Sequence, residues 1–155
     1  KKVSNYNYLE NIQIKKIYPS TINIKASQTS IIATTYLNQK KYFVGSNGSF
    51  ILASKLNIQK KLPTVFGTFK ISDFVFLKSI LNDVEPNINN IAKYYFHKNK
   101  RWDVYFENNI LVKLPNKYIL DAYKSFNKFQ ETNKIKPNTV VDLRIDNRII
   151  LKNGN

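Results

Sequence analysis

An α+β fold, mostly antiparallel sheet with two or three helices, is what this 155-residue sequence predicts. Three observations carry that expectation. Arg101–Pro115 alternates apolar and polar residues on either side of Asn108-Asn109, a dipeptide that tolerates the positive φ of a tight hairpin turn. Two longer stretches, one after Ser72 and one over Tyr118–Gln130, repeat apolar residues at helical spacing. The other apolar runs are short and follow a period of two, the pattern of half-buried strands.

Taken in order, Lys1–Asn11 reads as the end of a helix, with Val3, Tyr6 and Leu9 three residues apart. From Ile12 the period becomes two: Ile12 and Ile14, a turn at Tyr18-Pro19-Ser20-Thr21, then Ile22, Ile24 and Ala26. A second hairpin is predicted from Tyr42–Val44, the Gly45-Ser46-Asn47-Gly48 turn and Phe50–Leu52. A phosphate-cradling loop would need a helix and a Lys-Ser/Thr pair after those glycines, and a strand-like run follows instead. Ser72 is placed as the cap of a helix bearing Phe74, Leu77, Leu81 and Val84, which Pro86 ends.

Ile91–His97 returns to strand and leads into the central hairpin. There Trp102, Val104 and Phe106 share one face and Arg101, Asp103 and Tyr105 the other, while Ile110, Val112 and Leu114 line up on the return. Trp102 is expected to be buried against Ile119 and Phe126 of the following helix. That helix carries a stripe of Ile119, Ala122, Tyr123, Phe126 and Phe129. The final stretch, Thr139–Lys152, is read as one extended run with a bend at Asp146-Asn147. Val141, Leu143 and Ile145 face one way along it, Asp142 and Arg144 the other.

Composition narrows the function. With 43% hydrophobic and 14% aromatic residues the chain supports a real core, at a length that suits one domain or slightly more. There is no methionine, so Lys1 reads as the start of a fragment, and no apolar run reaches the roughly 18 to 20 residues of a membrane span. No cysteine is present, which excludes disulfides, thiolate metal sites and thiol catalysis. The net charge of +15 comes almost wholly from scattered lysines, with arginine only at positions 101, 144 and 148. Specific nucleic-acid readers use arginine forks and clustered basic stripes, so no nucleic-acid partner is expected.

Nor is catalysis. His97 is the only histidine and stands beside Lys98 and Lys100 with no sequence neighbour that orients it. The ten carboxylates are dispersed. Asp142 and Asp146, four apart on extended chain, would sit about 13 Å from each other, too far to share a proton or a metal. Salt bridges account for Asp103 and Asp142. No catalytic residue, cofactor or metal site is expected.

As a string, Arg101–Pro115 closely resembles the central hairpin of the FtsQ/DivIB bacterial cell-division family in its alphaproteobacterial form. Leu62-Pro63-Thr64-Val65-Phe66-Gly67 is similar to that family's Leu-Pro-x-apolar-x-Gly segment, and Asp142-Leu143-Arg144 with Asp146 and Arg148 to its last strands. Gln13–Ala33 resembles the closing hairpin of a POTRA domain, with Gln28 in place of the usual Glu and Ile31 in place of Pro. The resemblance implies the C-terminal part of a POTRA domain over 1–34 and an FtsQ-type β domain over 35–155. It also implies a single N-terminal transmembrane helix preceding these residues, and a place on the periplasmic side of the bacterial inner membrane at the division septum.

The function implied is a divisome scaffold whose C-terminal edge strand is extended by FtsB, itself paired with FtsL. The partner-binding residues that follow are Arg144, Ile145, Asn147, Arg148, Ile149, Ile150 and Leu151, with Phe129 on the preceding helix and Lys100 before Trp102. The isolated domain is expected as a monomer or an edge-strand dimer. The alternatives are a POTRA-type outer-membrane assembly or secretion factor and a basic nucleic-acid-binding domain.

Overall fold

Strand structure begins at Leu9 in the computed structural model, which describes residues 6–86 and 88–153. Strands β1 (Leu9–Ile17) and β2 (Thr21–Gln28) pair antiparallel across the Tyr18-Pro19 turn, with Ile14 opposite Ile24 and Lys16 opposite Ile22. This corrects the expected helix end: Leu9 and Glu10 lie opposite Gln28 and Ser27 in the ladder, and Val3 falls outside the described residues. Spacing by three over so few apolar positions is met equally by a strand with an irregularity. Asn11, at φ 53°, sits where the register shifts.

Strands β3 (Ile31–Leu37), β4 (Lys40–Gly45) and β5 (Phe50–Leu52) form an antiparallel meander, followed by a single 3-10 turn at Ala53–Lys55. Asn38 and Gln39 turn the first hairpin with φ 47° and 62°, the positive values that a two-residue loop matched to strand twist requires. The second hairpin is the one the glycines predict, with Gly48 at φ 82°. Ala33, Phe43, Val44 and Ile51 are buried. These strands belong to the first of two units into which the chain divides, Lys1–Lys60; the second is Lys61–Asn155.

In the second unit, β6 (Thr64–Phe66), α1 (Ile71–Val84), β7 (Ile91–Phe96), β8 (Trp102–Phe106), β9 (Leu111–Lys113), α2 (Ile119–Thr132), β10 (Thr139–Asp142) and β11 (Ile150–Asn153) follow one another. The strand order is β11-β10-β9-β8-β7-β6. Neighbours joined by short turns are antiparallel: β7 with β8, β8 with β9, β10 with β11. The two pairs joined through a helix, β6 with β7 and β9 with β10, are parallel, because a parallel return needs a crossover of that length. The expected mostly antiparallel α+β architecture is therefore what the described residues adopt, with two α-helices among them.

The central hairpin forms as expected, with Val104 opposite Val112, Asp103 opposite Lys113 and Asn109 at φ 65° in the turn. Trp102, Val104, Phe106, Ile110, Val112 and Leu114 are all buried. The partners of Trp102 differ from expectation. Its ring lies 4.7 Å from that of Phe96 and 5.9 Å from those of Phe69 and Phe74, so β7, α1 and the segment leading into α1 supply these aromatic contacts. Phe74 in turn meets Tyr94 edge-on at 5.0 Å.

Lys70, not Ser72, stands at the N-cap of α1 and makes no side-chain capping bond. Ser72 lies inside the first turn, with its hydroxyl 3.4 Å from Asp73 Oδ1. The helix does end ahead of Pro86, at Val84. Gly67 has φ 102°, and a Cβ there would lie 2.2 Å from the Phe96 carbonyl oxygen. The Gly of the Leu-Pro-Thr-Val-Phe-Gly segment is thus required by backbone geometry.

Candidate functional site

The C-terminal stretch is a hairpin, a correction to the single extended run expected over Thr139–Lys152. β10 and β11 run antiparallel with Val141 opposite Leu151 and Asp142 opposite Ile150. Asp146-Asn147 make the turn, with Asn147 at φ 58°. Reversing there lets Thr139–Asp142 pair with β9 on one side and with the chain's own return on the other. β11 stands at one end of the strand order.

One row of residues crosses the sheet in register toward that edge: Phe66, Tyr95, Asp103, Lys113, Asp142, Ile150. Phe66 and Tyr95 stack at 5.1 Å. The charges then alternate from Asp103 to Lys113 to Asp142, and opposite charges across neighbouring strands support the register. Asp103 and Asp142 are both buried. Asp103 receives His97 Nε2 at 2.8 Å and stands 3.4 Å from Arg101 Nη1. His97 is therefore oriented by a carboxylate, although nothing next to it in sequence provides one.

Arg144 Nε donates to Asp142 Oδ1 at 2.7 Å, the backbone N–H of Arg144 donates to the same oxygen at 3.1 Å, and Nη2 donates to Oδ2. These charge-assisted bonds hold the Asp142 carboxyl below its usual range against the opposing effect of burial, and raise the Arg144 guanidinium. The pair pins the first residues of the 143–149 loop to the end of β10.

Of the residues expected at the partner edge, Ile150 and Leu151 lie in β11, while Arg144, Ile145, Asn147, Arg148 and Ile149 lie in the loop before it. Ile145 is 50% exposed and Leu151 45%. Phe129 is half-buried on α2 and Lys100 exposed in the β7–β8 turn, at φ 61°. The loop also faces the first turns of α2 across a cleft of about 410 Å³. Ala122, Leu143 and Ile149 give it apolar walls, and Lys117, Tyr118 and Arg148 also line it. Tyr118 and Lys117 are absent from the residues that sequence reasoning selected. The polar turn Asn116-Lys117 marks only a loop, and nothing in the sequence foretells that a tyrosine takes up the left-handed N-cap of α2.

Among the described residues no group of three or more His, Cys, Asp or Glu side chains is placed to hold a metal ion, and no helix is long and apolar enough to cross a membrane.

Comparison with known proteins adds a family. The model described as "Cell division protein FtsQ/DivIB, C-terminal" matches residues 34–144, well over half of the chain. Two curated relatives, the cell division protein FtsQ of Rhizobium radiobacter and that of Agrobacterium fabrum, are each 23% identical over 147 residues, 94% of this chain. The chain spans 70% of the first and 46% of the second. A solved structure, the major extracytoplasmic domain of the trans isomer of the cell division protein DivIB from Geobacillus stearothermophilus, aligns with a TM-score of 0.45 at 13% identity. That alignment covers 71% of this chain and 99% of that one.

Proposed function

The chain belongs to the FtsQ/DivIB family of bacterial cell-division proteins, and we propose that it acts in division as a binding scaffold whose β11 edge is extended by a strand of FtsB, paired with FtsL, as the septum forms. Its place on this reading is the periplasmic side of the inner membrane. Residues 1–34 are read as the closing part of a POTRA domain, ending in the β1–β2 hairpin, and 35–155 as the β domain.

The position of β11 carries the proposal. It ends the strand order of its unit, so one row of its backbone N–H and C=O groups meets no neighbouring strand among the described residues, a template for a further strand. Its side chains support the same reading. Leu151 is 45% exposed, and Arg144 and Arg148 precede it, with Lys152 within it. Basic residues around an apolar strip discourage self-pairing and favour a partner with carboxylates.

Successive residues of an edge strand turn their N–H groups alternately inward and outward. One of Ile150→Pro and Leu151→Pro therefore removes an outward donor and the other a donor to β10. Calorimetry against the cognate FtsB–FtsL periplasmic segment tests the reading. The outward-donor variant is expected to lose at least tenfold in affinity while circular dichroism reports a folded chain. Wild-type affinity in both folded variants would move the binding edge elsewhere.

A further inference from the structure

We propose that the cleft between the C-terminal ends of α1 and α2 and the β8–β9 turn binds a primary ammonium group, carried by a ligand that also offers hydroxyl or amide groups. This site does not depend on the edge-strand reading above. The first turns of α2 line the cleft beside the 143–149 loop and its last turns line this one. From Tyr118 to Gln130 the helix rises about 18 Å.

The placement of charge is the first observation. The cleft holds about 300 Å³, and Glu85 and Glu131 both line it. Glu85 is the C-cap of α1, and Glu131 lies in the last turn of α2. A helix C-terminus carries partial negative charge, which disfavours a carboxylate there and favours a cation. Neither helix has a basic residue in its last turn, and the Asn133 amide that covers the Phe129 carbonyl is neutral. Two carboxylates and two helix ends therefore repel one another around one cleft, and an added cation relieves them together.

The chain's own charge does not supply that cation. Among the described residues lining the cleft there is no lysine or arginine. Lys128 and Lys134 flank Glu131 in sequence and are exposed, outside the lining. The net charge of +15 opposes a cation at long range, but screening over about 8 Å at physiological salt confines that opposition to near neighbours. Contact with a carboxylate is what remains.

Hydrogen bonding gives the second observation and narrows the cation. Asn90, Asn108, Asn127 and Gln130 share the lining, each with a carbonyl acceptor and two N–H donors. An ammonium brings three donors to such acceptors, and the amide N–H groups suit hydroxyl or carbonyl oxygens beside it. A metal ion fits less well, because no third His, Cys, Asp or Glu joins the two carboxylates among the described residues. The site is also firmly held. Phe106 and Ile110, both buried, form its apolar floor. The buried Tyr123 hydroxyl donates to Glu85 Oε2 at 3.2 Å. Burial and the Glu85 carboxylate push that hydroxyl well above its usual range, so it stays a donor.

The test follows the side-chain amide signals of the whole chain by NMR during titration with n-butylammonium, glucosamine and tetramethylammonium. The first two should bind, and tetramethylammonium, equally charged but without N–H donors, at least tenfold more weakly. Glu85→Gln keeps an acceptor for Tyr123, and Glu131→Gln changes an exposed residue without altering its shape. Each should weaken n-butylammonium at least fivefold. Saturating n-butylammonium should also raise the melting temperature of the wild type more than that of Glu131→Gln.

Tighter binding of glucosamine would support the site and assign it to an amino sugar, whereas tighter n-butylammonium would support it and assign it to a lysine-like side chain. Tetramethylammonium binding as well as n-butylammonium would reduce the effect to diffuse attraction and overturn the site. Unchanged affinity in both folded glutamine variants would overturn it too.

Discussion

His97 Nε2 lies 2.8 Å from Asp103 Oδ2, linking the turn after β7 to the first residues of β8. Asp103 is 5% exposed, and its other oxygen stands 3.4 Å from Arg101 Nη1. Removing a buried carboxylate leaves the adjacent guanidinium without its counter-charge, a loss of about 3 kcal/mol or more. Removing the half-exposed imidazole costs one hydrogen bond, about 1 kcal/mol. Urea unfolding should therefore rank Asp103→Ala well below His97→Ala in stability. Equal losses would mean that the Arg101 contact is idle.

Trp102 is the aromatic centre of the second unit, 3% exposed and surrounded by Phe69, Phe74 and Phe96. Trp102→Ala is expected to cost about 3 to 5 kcal/mol. Because it is the only tryptophan, its fluorescence reports this core alone. Emission in the native protein should be blue-shifted and shielded from iodide. Ready quenching by iodide would contradict the packing described.

Gly67→Ala should destabilise by at least ~2 kcal/mol, since φ 102° is strained for any β-carbon and the new atom would meet the Phe96 carbonyl oxygen. Gly48→Ala is the control. Its φ of 82° is also unfavourable, but no atom stands within 4 Å of the added carbon. A chemical-denaturation midpoint for Gly67→Ala no lower than that for Gly48→Ala would remove the steric argument.

Asp142 gives the fold an acid limb. The hydrogen bonds from Arg144 lower the folded carboxyl below its usual value. The stabilisation is thus complete above the unfolded value of about 4 and disappears as pH falls through the folded one. Asp142→Asn should lose stability at pH 7 and change less than the wild type between pH 5 and 2. Parallel pH profiles for the two proteins would show that Asp142 is not the linked group.

If the +15 charge serves no nucleic-acid function, random duplex DNA should bind at about 10⁻⁴ M or weaker at physiological salt, with a steep salt dependence. A sequence-selective sub-micromolar complex would revive that alternative.

What was legible in the sequence was local. The Arg101–Pro115 hairpin could be read because alternation and turn chemistry agree within one short stretch, and the stripe of α2 because its period is sustained. The C-terminal hairpin was missed for the opposite reason. Val141, Leu143 and Ile145 keep the same parity as they approach Asp146-Asn147, so periodicity carries the eye through a turn that only Asn147's positive φ makes. The parallel pairing of β10 with β9 depends on the crossover through α2, and no residue pattern announces it. Likewise the His97–Asp103 bond needs the β7–β8 register, which sets Tyr95 opposite Asp103 and so brings His97 within reach. At the N-terminal end, three apolar positions three apart fit helix and strand alike, and the pairing of Leu9 with Gln28 decided between them.

Within the described residues β11 runs over Ile150–Asn153, and a contact limited to that stretch has a kinetic consequence. Only alternate residues of an edge strand turn their backbone groups outward, so a ladder begun here closes after very few rungs. A contact of that length opens quickly, and dwell time must come from whatever lies alongside it. Two chains meeting edge to edge by chance would therefore separate soon after they touched. A cognate segment that also engaged neighbouring side chains would stay, and the protein could sort many brief encounters by how long each one lasts.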